Sequence, residues 1–256
     1  MPNLSSPGPS EPGDPAIPYQ PSAPDPVNHR PSAAHDAEAL AGYWNSRSPE
    51  FDGIHPRLQL IGELVASIPG IATMLDVGCG PAAVRRVIPS TIEYFGVDIA
   101  SDVIAAQHDP EHFEVIDLDG DARCFGERRF DLILCSGVFE YIQRTQPFMQ
   151  FLRRKSAPDG HLIFSFTNHQ HHKDGLHWLL GNYSGYKDPH VNFMLVPEVQ
   201  RLLAQSGWEV LRYRAITRSG DVHPRLGRFT HFPLNVFNRQ YVFVCRRTQP
   251  RGLPAR

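Results

Sequence analysis

Short apolar runs alternate with amphipathic or mixed segments along most of the chain. The predicted strands are "IATMLDVG", "IEYFGVDI", "HFEVIDLD", "FDLILCSG", "GHLIFSFTN", "GWEVLRYRA" and "RQYVFVCRR". The predicted helices are "DAEALAGYWNSR", "HPRLQLIGELVASI", "PAAVRRVI", "ASDVIAAQH", "QPFMQFLRRKS" and "PEVQRLLAQS". In the second of these helices apolar residues recur at helical intervals, so one face is expected to pack on a core.

The order of these elements predicts an α/β fold. Strands joined by crossovers of this length must be mostly parallel, because two-residue hairpins cannot link parallel neighbours. The near-continuous apolar runs "LILC" and "LIFSF" suit strands that are buried on both faces. We therefore expect a Rossmann-like open sheet of about seven mostly parallel strands with helices on both faces. Its ligand is expected beyond the carboxyl ends of the strands, where the loops after the first, second and fourth strands converge.

The amino-terminal stretch has a different composition from the rest of the chain. Ten of the 24 prolines lie within residues 1–31, and few apolar side chains accompany them. Such a segment cannot offset the entropy of ordering itself, so residues 1–34 are predicted to be a disordered tail. Residues 35–248 are predicted to form one domain, and the basic residues 249–256 a frayed end.

Charge and cysteine usage narrow the classes of partner and compartment. The formal net charge of −2 gives no electrostatic case for a nucleic acid or an anionic membrane. The sequence shows neither a signal peptide nor an apolar run that could span a bilayer, so a soluble cytoplasmic protein is expected. The four cysteines are far apart and form no C-x-x-C pair, which favours reduced thiols over disulfides or a zinc site.

The loop in "MLDVGCGPAAV" is the first candidate ligand site. Gly78, Gly80 and Ala83 have the G-x-G-x-x-G/A spacing of a dinucleotide-binding turn, in which N–H groups at the start of the following helix favour negative groups. Asp76 and the two glycines also have the D-x-G-x-G spacing of a site for S-adenosylmethionine. Asp98 ends the second predicted strand and is placed to accept hydrogen bonds from ribose hydroxyls in either kind of site. This loop therefore leaves both cofactors open.

Three further features favour S-adenosylmethionine. A buried carboxylate at position 76 suits a cationic ligand better than a pyrophosphate. The third predicted strand ends in "IDLD", which places Asp117 or Asp119 where an adenine amino group donates a hydrogen bond. The fourth is introduced by "RFD" and continues into "CSGVFEYI".

Five motifs occur in one order along the chain: "LDVGCGPAA", "YFGVDIA", "FEVIDLD", "FDLILCSGVFEYI" and "APDGHLIFSF". In this order they resemble the class I S-adenosylmethionine-dependent methyltransferases, over roughly residues 40–247. The later stretches "LLGNYSGYKDPHVNFMLVPEVQRLLAQSGWEV" and "NVFNRQYVFVCRR" resemble the MetW-like and UbiE/UbiG-type small-molecule methyltransferases.

The resemblance implies a role for each residue of the cofactor site. The main-chain groups of Gly78, Cys79 and Gly80 would lie along the methionyl part, and Asp76 would act directly or through water on its amino group. Asp98 would hold the ribose. Asp117, preferred narrowly over Asp119, would bind the adenine amino group. The remaining contacts would be Ile99 against the adenine, Ser136 and Val138 beside the methionyl tail, and Tyr43 as part of a lid.

Two departures from the family pattern affect these expectations. The family often carries Glu-His after the fourth strand, whereas this chain has Glu140-Tyr141, so a role of that histidine cannot be carried over. The third glycine often found in the first loop is replaced by Ala82 and Ala83, which are also small.

The acceptor side is less strongly predicted. A nucleophilic oxygen or nitrogen often needs a general base, most often a histidine. The stretch "NHQHHKDGLHW" places several histidines after the fifth strand, and His190 follows further on. His171 and His190 are the candidate bases, and His169 is expected in the substrate pocket. No metal site is expected, because no acidic partner stands at an obvious spacing from these histidines.

Aromatic residues near the site allow two interpretations. Phe139 and Tyr141 either line the substrate pocket or serve as ordinary packing. Tyr43 is expected to help cover the cofactor, and Trp44 is expected to lie in the core.

The predicted function is transfer of a methyl group from S-adenosylmethionine to an oxygen, nitrogen or carbon nucleophile of a small molecule. An NAD(P)-dependent oxidoreductase and a non-catalytic cofactor-binding module are the alternatives. A methyltransferase of nucleic-acid bases is disfavoured, because "CSGVFEY" lacks the Asn/Asp-Pro-Pro-aromatic stretch and the Pro-Cys nucleophile of such enzymes.

Deleting residues 1–31 is expected to leave the melting temperature and the affinity for S-adenosylhomocysteine near wild type, because these residues are predicted to bury little surface. Thermal denaturation and calorimetry check this. A large loss of either would show that the tail contributes to the fold or the site.

Overall fold

The computed structural model describes residues 36–47, 52–168, 190–217 and 238–248. Its strands are β1 (Thr73–Val77), β2 (Glu93–Asp98), β3 (Phe113–Val115), β4 (Phe130–Ser136), β5 (Ser156–Thr167), β6 (Trp208–Thr217) and β7 (Asn238–Arg247). Its α-helices are α1 (Ala37–Arg47), α2 (Pro56–Ala66), α3 (Ser101–Ala105), α4 (Thr145–Lys155) and α5 (Val196–Gln205). Short 3-10 helices span Ala83–Arg86, Pro110–His112 and Phe139–Tyr141.

The described strands form one sheet in the order β3-β2-β1-β4-β5-β7-β6. The pairs from β3 to β5 are parallel, whereas β7 runs antiparallel to both β5 and β6. The order reverses between β1 and β4, and such a switch point opens a crevice at the carboxyl ends of the strands. The predicted Rossmann-like sheet of mostly parallel strands is confirmed.

Both faces of this sheet are buried. Because alternate strand residues point to opposite sides, each strand contributes side chains to two cores. On one face, Leu75 and Val77 of β1 join a core that includes side chains of α4 and α5. On the other face, Met74 of β1 joins a second core that includes side chains of α2. The helices therefore lie on both faces, as the sequence predicted.

The helix predicted over residues 81–88 is wrong. In its place stands only the 3-10 helix Ala83–Arg86. Ala82, which precedes it, adopts the left-handed conformation with φ of 54°, so the α-helix cannot begin there. Pro89 follows closely and disfavours the helical conformation of the residue before it.

The structure describes neither predicted tail, but it bears on the predictions about membrane spans and cysteines. The predicted tails, residues 1–34 and 249–256, lie outside the described residues, so the domain boundaries stay predictions. No helix in the described part of the chain is long and apolar enough to cross a membrane. All four cysteines are free and buried.

Candidate functional site

The carboxyl ends of β1, β2 and β4 lie side by side and bring three predicted site residues to one edge. Val77 of β1 is in register with Val97 of β2 and with Cys135 of β4. Asp76, Asp98 and Ser136 therefore all lie at this edge, beside the loops that follow the three strands. We call the space between these loops the strand-end cleft.

The loop after β1 uses its own N–H groups to fold back on β2. The N–H groups of Gly78 and Cys79 both donate to the Val97 carbonyl, at 2.8 and 3.0 Å. The N–H of Gly80 donates to Oδ2 of Asp98 at 2.8 Å. These three amides are therefore not available to a pyrophosphate, contrary to the expectation from the dinucleotide pattern. The 3-10 helix that follows is also too short to supply the positive end of a helix dipole.

Two glycines shape the floor of the cleft. Gly78 has φ of 74°, and a Cβ built on it would lie 2.1 Å from Cγ2 of Val138. Val138, which is half-buried, therefore packs directly on the loop. Gly80 has φ of 49°, and a Cβ built on it would meet no atom within 4 Å. The loop is thus tightly packed at Gly78 and borders open space at Gly80.

Asp98 connects this loop to the end of β2. Its Oδ2 accepts the Gly80 N–H, and its Oδ1 accepts the Ala100 N–H at 2.9 Å. Burial raises the pKa of the Asp98 carboxyl, while hydrogen bonds from Ala100, Gly80 and Ile99 act in the opposite direction. Each carboxylate oxygen can accept a further hydrogen bond. Ile99 is half-buried next to it.

Asp76 is a second buried carboxyl group at this edge. Its side chain is 5% exposed, and Tyr94 donates its hydroxyl proton to Oδ2 at 2.7 Å. Burial raises the pKa of Asp76 to about 7, whereas the Tyr94 hydrogen bond and the charge of Arg57 act to lower it. A carboxylate in this environment is strongly stabilised by a cation.

Sequence reasoning missed Arg57, in the first turn of α2. The residue is half-buried, and a Cβ built on Gly137 would lie 2.8 Å from its Nη1. Burial lowers the pKa of the Arg57 guanidinium, while Glu140, Tyr141 and Asp76 act to raise it. The strand-end cleft therefore contains opposite charges, Arg57 and Asp76. A cation in the first turn of a helix interacts unfavourably with the helix dipole. The position of Arg57 was therefore a sequence signal that this residue has a role other than stabilising the helix.

The two candidate adenine-binding aspartates have different environments. Asp119 is 4% exposed, and its two oxygens accept the N–H groups of Gln143 and Arg144 at 3.0 and 2.7 Å. It therefore holds the start of α4. Asp117 is half-buried, and its Oδ1 accepts the Asp119 N–H at 2.9 Å.

Helix α1 contacts both the start of α3, which follows β2, and the segment after β4. Oδ1 of Asn45 accepts the Asp102 N–H at 3.1 Å, next to the end of β2. The rings of Trp44 and Tyr141 meet edge to face with centroids 4.8 Å apart, beyond the end of β4. Trp44 is half-buried and α1 buries no residue completely, so the prediction of Trp44 in the core is wrong. Tyr43 is half-buried beside it, with its hydroxyl bonded to Arg47.

Of the two aromatic residues after β4, one packs in the core and one does not. Phe139 is 1% exposed and lies between the rings of Phe148 and Phe164, so its placement in the substrate pocket is corrected to core packing. Tyr141 is half-buried, and its Oη lies 3.0 Å from Nε2 of His190. The structure thus brings together two residues that are far apart in the sequence.

The surroundings of the other predicted site residues do not indicate one particular role. Ser136 is half-buried, with its hydroxyl 3.1 Å from that of Ser165 on β5. Cys79 is 7% exposed, and burial raises the pKa of its thiol. His169 and His171 lie outside the described residues. Within the described ranges, no group of three or more histidine, cysteine or acidic side chains is arranged to hold a metal ion.

A family model described as "Methyltransferase domain" matches residues 34–213. The chain belongs to this family. It is a class I S-adenosylmethionine-dependent methyltransferase, and its cofactor is S-adenosyl-L-methionine. The narrower resemblance of this methyltransferase to the MetW-like and UbiE/UbiG-type enzymes stays a prediction.

Solved structures share the fold of this methyltransferase at low sequence identity. A chain of the Haloferax volcanii complex that contains the Trm112 methyltransferase activator has a TM-score of 0.61 and 14% identity, over 85% of this chain and 100% of that one. Magnesium protoporphyrin IX methyltransferase of Synechocystis PCC 6803, with bound S-adenosylhomocysteine, has a TM-score of 0.59 and 15% identity, over 83% and 100%. Burkholderia thailandensis 1,6-didemethyltoxoflavin-N1-methyltransferase, with bound 1,6-didemethyltoxoflavin and S-adenosylhomocysteine, has 0.56 and 15%, over 83% and 89%. No curated protein matches this chain.

Proposed function

We propose that this methyltransferase transfers the methyl group of S-adenosylmethionine to an oxygen, nitrogen or carbon nucleophile of a small molecule by in-line displacement. The observation that carries this proposal is the buried Asp76 carboxyl at the end of β1, together with the Arg57 guanidinium beside Gly137 after β4. The amino-acid end of S-adenosylmethionine carries one positive and one negative group, so it complements this pair. A dinucleotide would instead place its negatively charged pyrophosphate at the loop after β1, next to the Asp76 carboxylate.

The residues of the cleft fit the rest of the cofactor as well. Asp98 keeps acceptor capacity for the ribose hydroxyls while it holds the loop after β1. Asp117 is the better candidate for the adenine amino group, because Asp119 is engaged at the start of α4. Gly78, Cys79 and Gly80 would form the floor beneath the methionyl part. The flanking contacts would be Ile99, Ser136, Val138 and Tyr43.

S-adenosylmethionine supplies a sulfonium methyl group that an aligned nucleophile attacks while the carbon–sulfur bond breaks. The protein contributes chiefly by orienting the acceptor and excluding water. Helix α1 supports the second role, since Asn45 contacts the start of α3 and Trp44 contacts Tyr141 after β4. An acceptor that must lose a proton also needs a base, and His171 and His190 remain the candidates.

A small-molecule acceptor is supported by the chemistry of the acceptor side. Tyr141, His190 and Trp44 give this side aromatic rings and a hydroxyl group. Two fold neighbours are named for small-molecule acceptors, magnesium protoporphyrin IX and 1,6-didemethyltoxoflavin.

Calorimetry with S-adenosylhomocysteine and with NADH tests the cofactor assignment. We expect binding of the first and none of the second; tight NADH binding without a response to S-adenosylhomocysteine would overturn the proposal. Transfer of a tritiated methyl group into a metabolite extract then identifies the acceptor. Normal cofactor binding without transfer to any fraction would support the non-catalytic module instead.

Replacing Asp98 with alanine is expected to weaken S-adenosylhomocysteine binding by about 1–3 kcal/mol, the usual contribution of hydrogen bonds to a charged group. It is also expected to lower the melting temperature, because the Gly80 and Ala100 N–H groups lose their acceptor. Calorimetry and thermal denaturation measure the two effects. An unchanged dissociation constant would contradict the placement of Asp98 at the ribose.

A further inference from the structure

Five aromatic rings from three separate segments form one continuous row beside the strand-end cleft. Neighbouring ring centroids are 5.1, 4.8, 4.8 and 6.5 Å apart, and the interplanar angles lie between 65° and 88°. In spatial order the rings are those of Tyr43, Trp44, Tyr141, His190 and Phe193. We call this set the aromatic row. Its edge-to-face contacts are the arrangement that aromatic rings prefer.

The aromatic row ends in an exposed apolar patch. Phe193 is 46% exposed, and its neighbours Val191 and Leu195 are 45% and 38% exposed. The other four rings of the row are half-buried, so each offers part of its surface. Three exposed apolar side chains in one short segment beside a cleft can form part of a binding surface.

The segment that carries His190 is fixed to the loop after β4. The N–H groups of Val191 and Asn192 donate to the Glu140 carbonyl at 2.7 and 3.1 Å. The Asn192 side-chain amide donates to the Phe139 carbonyl at 2.8 Å. The Glu140 carboxylate accepts the Thr167 N–H at 2.7 Å, which ties the same loop to β5. These hydrogen bonds hold the segment of His190 against the segment of Tyr141 and so position the two side chains for their contact.

Tyr141 and His190 together can accept a proton. The distance between Tyr141 Oη and His190 Nε2 is 3.0 Å, which is a hydrogen bond. When His190 is neutral with its proton on Nδ1, Nε2 accepts the Tyr141 proton. The Tyr141 oxygen is then able to take a proton from a bound acceptor. The nearby Arg57 cation favours negative charge on that oxygen.

We propose that the aromatic row binds a planar aromatic acceptor with an ionisable O–H or N–H group, and that Tyr141, backed by His190, removes its proton. This inference rests on the proposed function and names the acceptor class for it. The acceptor proton moves to Tyr141 Oη as the Tyr141 proton moves to His190 Nε2, which leaves an acceptor anion and an imidazolium. The anion forms the bond to the transferred methyl carbon while the electron pair of the carbon–sulfur bond stays on sulfur. The imidazolium afterwards returns its proton to solvent through Tyr141.

The test uses 4-nitrophenol, whose ionisation is visible in its absorbance, and 4-nitroanisole, which has no proton to lose. Both are titrated into protein saturated with S-adenosylhomocysteine, whose binding is first confirmed by calorimetry. We expect both probes to bind, and bound 4-nitrophenol to be more ionised than in buffer at the same pH. Cyclohexanol, which is neither planar nor aromatic, is expected to bind at least tenfold more weakly.

Variants separate proton removal from packing. Tyr141→Phe and His190→Gln are expected to return the ionised fraction of bound 4-nitrophenol to its value in buffer. Tyr141→Phe, which keeps its ring, is expected to change the 4-nitroanisole affinity less than threefold. Trp44→Ala is expected to weaken both probes about three- to tenfold, the range of one aromatic pair. Tyr213→Phe on β6 and His108→Gln, an exposed residue, are matched controls expected to behave as wild type.

Three results would overturn this inference. The first is binding of neither probe to protein that binds S-adenosylhomocysteine. The second is binding without any gain in ionisation. The third is a gain in ionisation that both Tyr141→Phe and His190→Gln leave intact, since another group would then be the base. Failure of the wild-type protein to bind S-adenosylhomocysteine would instead overturn the proposed function.

Discussion

Replacing Arg57 with alanine is expected to weaken the binding of S-adenosylhomocysteine by about 2–3 kcal/mol, or roughly 30- to 150-fold. The guanidinium is half-buried beside Gly137, at the edge where Asp76 and the loop after β1 meet. A carboxylate placed there gains charge-assisted hydrogen bonds that alanine cannot make. Lysine is expected to recover only part of the loss, because it lacks the planar pair of donors.

An analogue of S-adenosylhomocysteine without its carboxylate distinguishes this role from a structural one. Its affinity is expected to differ little between wild type and Arg57→Ala, because the partner of the guanidinium is already missing. The melting temperature of the unliganded variant shows whether the fold is intact. Arg123→Ala is a matched control, since the Arg123 side chain is 85% exposed and pairs only with Asp121 among the described residues. An equal loss for both ligands would show that Arg57 does not bind the carboxylate.

The sequence predicted most of the fold because buried parallel strands have a distinctive pattern. "LILC" and "LIFSF" became β4 and β5, whose apolar residues fill the cores on both faces of the sheet. The α-helix predicted after the first loop does not form. Its apolar periodicity is outweighed by the left-handed conformation of Ala82 and by Pro89. Local backbone geometry of this kind has no signature in the hydrophobic pattern.

The part of the cofactor site that lies at the ends of the predicted strands could be predicted from the sequence. Asp76, Gly78 and Asp98 stand at strand ends, and parallel pairing brings strand ends together without further information. Arg57 was not predictable in this way, because its proximity to Asp76 depends on how α2 packs on the sheet. The same holds for His190 and Tyr141, which the hydrogen bonds of Val191 and Asn192 to the loop after β4 bring together.

The environment of Asp76 also predicts how the stability of the unliganded protein depends on pH. Its pKa is raised from 3.8 to about 7, so between these values the folded state binds a proton that the unfolded state lacks. The free energy of unfolding is therefore expected to fall as pH rises from about 4 to 7 and to level off above 7. Asp76→Asn is expected to reduce this dependence, with a remainder from Asp98, whose pKa is also raised, and to make the unliganded protein more stable than wild type at pH 8. Asp121→Asn, on an exposed residue, is the matched control.

Binding of S-adenosylhomocysteine is expected to show the opposite pH dependence, because its ammonium group requires the ionised form of Asp76. Below pH 7 the unliganded carboxyl is protonated, so binding must release that proton, and the affinity is expected to fall about tenfold per pH unit between 7 and 5. Calorimetry in buffers of different ionisation enthalpy measures the released proton directly. Asp76→Asn is expected to bind weakly at every pH and to release no proton. Since Tyr94, Arg57 and Asp98 also surround this carboxyl, retention of the proton release in Asp76→Asn would assign the effect to another group and contradict the ammonium contact.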